Sequence, residues 1–117
     1  MATTITPTKK LGVAQVGCGG WYEAIYSCVA DTTTAAGLLT MDVTADFKYV
    51  YGMEVIGFAA AECEEILKPL VPAWGTAASS TNVGFYVYDE ALASIDSTDV
   101  STTLGTFFVK VFGLRAV

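Results

Sequence analysis

Apolar and polar residues alternate along most of this chain with a period of two. That period places successive side chains on opposite faces of an extended strand. Leu11–Val16 is the first short strand candidate. In Tyr22–Val29, Tyr22, Ala24, Tyr26 and Cys28 share one face, opposite Glu23, Ile25, Ser27 and Val29. Leu38–Thr44 follows a threonine-rich turn ending in Gly37. Lys48–Phe58 is the longest candidate, with Tyr49, Tyr51, Met53 and Val55 on one face and Lys48, Val50, Glu54 and Ile56 on the other. Gly52 and Gly57 inside it predict bulges or close backbone contacts. Val83–Tyr88 and Thr106–Phe112 complete the series. The last is apolar on both faces, as expected of a strand central in a sandwich or pressed against another subunit.

Helical signal is thin. Ala59–Leu67 (AAAECEEIL) is the one run of good helix formers, and Pro69 stops it. A long loop then runs through Pro72 and Gly75 to Ser80, and Asp89–Ser101 reads as a second turn region. The expected fold class is all-β: a small antiparallel sandwich or barrel of about six to seven short strands with one short helix. Residues 1–10 (MATTITPTKK) read as a flexible, extended N-terminal arm with a Pro7 kink, and residues 11–117 as a single β domain. The arm has no hydrophobic run, so it is not expected to act as a signal peptide. The 15 threonines and 13 valines reinforce the strand reading, because β-branched side chains favour extended backbone.

Composition turns this pattern into an expectation about surface. Of 117 residues, 53% are hydrophobic and only 15% are charged. An average soluble domain is about 25% charged, and a domain this small buries only about two thirds of its chain's surface. Apolar side chains are therefore expected outside as well as inside, where they mark contacts. The net charge of −6 comes from twelve carboxylates against six scattered bases. Binding a phosphate backbone needs clustered Lys and Arg, so neither nucleic acid nor an anionic membrane is an expected partner. Cys18, Cys28 and Cys63 are odd in number and widely spaced, which suits free thiols in a reducing compartment.

Candidate chemistry is sparse. The chain has no histidine, which removes the usual general base and the commonest metal ligand. Gly17-Cys18-Gly19-Gly20, after an apolar run and with Asp42 downstream, imitates a dinucleotide-binding turn. Tyr22 stands at that motif's third glycine, and the segment that should be its helix is rich in β-branched and aromatic residues. The better reading is a glycine loop that lets Trp21 swing onto a neighbouring surface. Glu62, Glu64 and Glu65 are sequential and do not converge, and Asp96 and Asp99 suit a turn. No catalytic, cofactor or metal residue is expected. Tyr22, Tyr26, Tyr49, Tyr51, Tyr86 and Tyr88 form an alternating aromatic stripe that suits core, interface or ligand face.

YGMEVIGFAAA, TNVGFYVYDEALAS and TLGTFFVKVFG follow one another through the second half. Over residues 48–113 this rhythm resembles the small β-rich virion proteins of tailed bacteriophages, including capsid decoration (cement) proteins, whose last strand has the form F-V-x-V-F-G. The resemblance implies a non-enzymatic structural role. The expected protein is made in the host cytoplasm and sits on the virion surface. Its expected partners are the major capsid protein and copies of itself in a homo-oligomer such as a trimer, with no cofactor. The expected contact residues are Ile5 and Pro7 in the arm, Trp21 in the glycine loop, and Leu70, Val71 and Trp74 in the proline loop. The alternatives are a small β-barrel binding module for an apolar or carbohydrate ligand, or another phage head or tail component.

Overall fold

A computed structural model describes residues 3–14, 20–30, 38–59, 66–88 and 105–116. They form seven strands: β1 (Thr3–Ala14), β2 (Trp21–Ala30), β3 (Leu38–Met41), β4 (Phe47–Phe58), β5 (Ile66–Leu70), β6 (Gly84–Tyr88) and β7 (Thr106–Arg115). All seven belong to one sheet in the order β4-β7-β2-β1-β3-β6-β5. Neighbours run antiparallel except β1 and β3, which pair in parallel through Thr3–Ile5. The sheet curls until its two edge strands approach each other, giving a nearly closed barrel rather than a sandwich. At this seam the Ala78 N–H donates to the Lys48 carbonyl at 2.8 Å, so the loop after β5 ties down the start of β4.

Alternation decides which side chains fill the barrel. Tyr22, Ala24, Tyr26 and Cys28 of β2 point inward, as do Phe107, Val109 and Val111 of β7. They meet Leu39, Met41, Val83, Phe85 and Val87 from the opposite wall. Phe85 and Phe107 pack edge to face at 6.1 Å, a favoured aromatic geometry.

β4 departs from simple alternation. Register shifts against β7 occur between Phe47 and Tyr49, Val50 and Gly52, and Val55 and Gly57. Each extra residue rotates the strand's phase. Phe47, Val50 and Met53 therefore all point inward, and Met53 leaves the face expected to hold it with Tyr49 and Tyr51. The glycines do mark irregularities, as expected. Gly113 of β7 is needed here, since a Cβ on it would collide with the Tyr49 carbonyl oxygen.

Two expectations change. Residues 3–10 are not a free arm but the first part of β1, which holds β2 on one side and β3 on the other. Threonine-rich sequence suits a strand as well as a tail, and Ile5 anchors it in the core. Pro7 lies beyond Ile5, where β3 pairing has ended, so its missing N–H costs no ladder bond on that side. The expected helix, 59–67, falls mostly on residues 60–65, outside the described residues. Its last two residues, Ile66 and Leu67, begin β5, where pairing with Tyr88 and Val87 overrides helix propensity. Pro69 follows within β5, which is an edge strand, where proline is tolerated.

Candidate functional site

The outward wall of β1, β2, β7 and β4 carries the feature that needs explaining. Opposite the filled interior stand Leu11, Ile25, Val29, Phe108, Phe112 and Ile56. Leu11 is 54% exposed, Val29 49% and Ile56 48%. No second sheet covers this wall among the described residues. Among the described residues, no further layer packs on the apolar outer face of the last strand.

One end of the wall is aromatic. Trp21, the first residue of β2, packs beside Phe112 of β7 at 5.8 Å and beside Tyr51 of β4 at 6.2 Å. Tyr51 lies nearly parallel to Tyr49 at 6.3 Å, and Trp74 stacks on Tyr51 at 4.2 Å. Phe112 is positioned by Gly52 across the strand pair, because any Cβ at Gly52 would strike its ring. An aromatic ring that covers a glycine on the neighbouring strand also helps fix the pairing register.

Trp74 is 82% exposed although it rests on Tyr51. Its backbone holds it there. The Thr76 N–H donates to the Ala73 carbonyl at 2.9 Å, and Gly75 adopts φ +86°. This is the geometry of a type II turn, with Trp74 at its outer corner. Asn82 braces the same loop, accepting from the Ser79 N–H at 2.7 Å and donating to the Ala77 carbonyl at 3.0 Å. An indole this exposed is normally mobile; this one is mounted on a turn and a ring stack.

Beside the aromatic cluster, Leu11, Glu23, Ile25 and Lys110 line a half-open crevice of about 170 Å³. Its walls are mostly apolar. The Glu23 carboxylate and Lys110 ammonium stand 4.0 Å apart, the outer limit of an ion pair. Both therefore retain capacity for another partner.

The strongest polar cluster lies elsewhere. The Tyr26 hydroxyl donates to Asp46 at 2.7 Å, and the Lys9 ammonium donates to the other Asp46 oxygen at 2.9 Å. Burial of the Asp46 carboxyl opposes ionisation. The Tyr26 and Lys9 hydrogen bonds and the charges of Lys9 and Arg115 outweigh it and hold the carboxyl below its usual range. Burial, and then the bond to Asp46, pushes the Tyr26 hydroxyl well above the usual phenol range. The Asp46 bond raises Lys9 as well. These groups are locked in their ordinary charge states. The cluster pins the β3–β4 turn to β1 and β2, and it offers no base poised near neutrality. Burial pushes the Cys28 thiol up to about 12, so it stays protonated and behaves as a small core hydrophobe.

The expected contact residues divide. Trp21 stands on β2 in the aromatic cluster, whereas Trp74 and the half-buried Leu70 and Val71 lie in or beside the seam, and Val71 packs against the core. Ile5 is only 4% exposed and so is a core residue, unavailable to a partner; Pro7 is half-buried within β1. The tyrosine stripe splits: Tyr22 and Tyr26 face inward, Tyr49 and Tyr51 join the outward stack, and Tyr86 is exposed on β6. Leu11, Glu23, Ile25 and Lys110 were not singled out by sequence. Alternation alone puts Glu23, Ile25 and Lys110 on outward faces, but only the β2–β7 register and the β1 bulge between Lys9 and Leu11 bring the four together.

Cys18, Cys63, the acidic run 62–65 and the pair Asp96 and Asp99 lie outside the described residues. Among the described residues no three Cys, Asp or Glu side chains stand close enough to hold a metal ion. No protein-family model matches the chain, and no curated protein or solved structure is significantly similar to it.

Proposed function

We propose that this chain is a non-enzymatic structural protein that works by assembly, and specifically a capsid decoration protein of a tailed phage that staples neighbouring capsid subunits. The observation that supports this is the outward wall: large apolar side chains on four adjacent strands, ending in a rigidly mounted, exposed Trp74. Such a patch is what a partner-binding surface offers. The described parts of the segments that carry the resemblance to virion proteins include the second half of β4, β6 and most of β7, and the motif Phe108-Val-Lys-Val-Phe112-Gly113 spans the centre of β7. Its inward valines hold the barrel while its outward phenylalanines build the wall. Buried apolar area contributes about 25 cal/mol per Å² before association costs are subtracted, and symmetry repeats the contact over a shell.

The test is electron cryomicroscopy of phage heads assembled with and without the chain. The expected result is symmetrically repeated density on the outer capsid surface that vanishes when the chain is omitted. Identical heads in both preparations would sink the decoration role.

The exposed Trp74 indole also favours a second reading, a carbohydrate-binding module, because a sugar ring can stack on an open aromatic face. Saturable quenching of Trp74 fluorescence by soluble oligosaccharides would support it.

A further inference from the structure

The exposed Trp74 and the crevice at Leu11, Glu23, Ile25 and Lys110 belong to one continuous outward patch. Trp74 rests on Tyr51, Tyr51 packs beside Trp21, and Trp21 packs beside Phe112. Phe112 pairs across strands with Glu23, and Lys110 lies two residues before it on the same face of β7. A projecting knob and a recess thus flank a shared aromatic strip. We propose that this patch is self-complementary, and that a second copy of the chain docks on it by inserting its Trp74 into the crevice, reciprocally, about a two-fold axis near Trp21 and Phe112.

Size and chemistry both point to this occupant. A cavity of about 150 Å³ admits a benzene ring, and the crevice measures about 170 Å³ and is open on one side. Leu11 and Ile25 supply apolar walls for the ring. Glu23 supplies an acceptor for the indole N–H, a group that only donates. Lys110 supplies a cation for the indole face. The two charged groups are held in only a loose pair at 4.0 Å, so a ring entering between them breaks little. Trp74 is already fixed by its turn and by Tyr51, so docking costs it little rotamer freedom. A patch carrying both knob and recess meets the condition for an isologous contact, in which each residue finds its counterpart twice.

This inference deepens the assembly reading and rests on it. It is tested in free solution, separately from capsid binding. Sedimentation velocity across a concentration series should show wild-type protein forming a dimer. Trp74→Ala removes the knob, and Leu11→Trp fills the recess at an exposed position. Each should weaken dimerisation at least ~10-fold with an unchanged circular dichroism spectrum. Glu23→Arg is a second recess variant should Leu11→Trp disturb the fold. An equimolar mixture of knob and recess variants should recover association, because that heterodimer regains one complete knob–recess contact. Wild-type protein that stays monomeric at high concentration overturns the proposal. So does a Trp74→Ala variant that dimerises normally, or a mixture that recovers nothing. A dimer that ignores capsids would remove the decoration role and leave the dimer standing. A monomer that decorates capsids would do the reverse.

Discussion

On β7, Phe107, Val109 and Val111 are fully buried, while their neighbours Phe108, Lys110 and Phe112 on the other face are only half covered. Both faces carry large apolar side chains, but their surroundings differ. Inward residues meet the opposite barrel wall, and their packing is complete within one chain. Among the described residues, outward residues meet their cross-strand neighbours and the aromatic stack. A hydrophobic side chain is therefore no guide to whether it holds this fold together. The closure of the sheet makes that division, setting the inner residues against one another and the outer ones outside the barrel.

The comparison predicts large effects inside and small ones outside. The largest should follow deletion of residues 1–10. That removes most of β1 from between β2 and β3, together with the buried Ile5. The truncated chain should lose its cooperative thermal transition, whereas a free arm would leave it unchanged. Next, Phe107→Ala should cost about 3–5 kcal/mol in urea unfolding, because it opens a void against Phe85 and Phe58.

Tyr26→Phe should cost about 1.5 kcal/mol, since it removes a hydrogen bond to an ionised carboxylate. The same network sets a pH dependence. The carboxyl of Asp46 is lowered by folding, so its contribution is present above its unfolded value of about 3.9 and lost as pH falls through the folded value. Asp46→Asn should therefore differ most from wild type in melting temperature near neutrality, and the gap should shrink in acid below about pH 4. A gap that stays constant with pH would mean that ionisation of Asp46 contributes nothing. The smallest stability effect belongs to Trp74→Ala, within about 0.5 kcal/mol of wild type, because the side chain it removes is largely solvated. A large loss there would make Trp74 a structural residue and erase the contrast between the two faces.

Much of the barrel was legible in the sequence. A period of two located β2, β3, β4, β6 and β7 to within a few residues, because each has one face filling the interior. β1 was found only from Leu11 onward. Its first half, TTITPTKK, alternates weakly and contains a proline, and parallel pairing with β3 is a long-range fact that local pattern does not encode. β5 was obscured for the opposite reason, since a local helical signal overlapped a short edge strand. The aromatic site was half legible. Trp21 and Trp74 stood out as large side chains in glycine- and proline-rich surroundings, but their meeting through Tyr51 depends on closure of the sheet. The phase of Tyr51 itself depends on bulges whose glycines were visible but whose direction was not.

The most direct test of the outer wall's role is acrylamide quenching of Trp74, read in a Trp21→Phe variant that leaves one tryptophan. The expected result is free quenching at high dilution, then strong protection and a blue-shifted emission once the protein self-associates or binds a phage head. An indole equally open to quencher when dilute, when concentrated and when mixed with heads would contradict the claim that neighbours cover this wall.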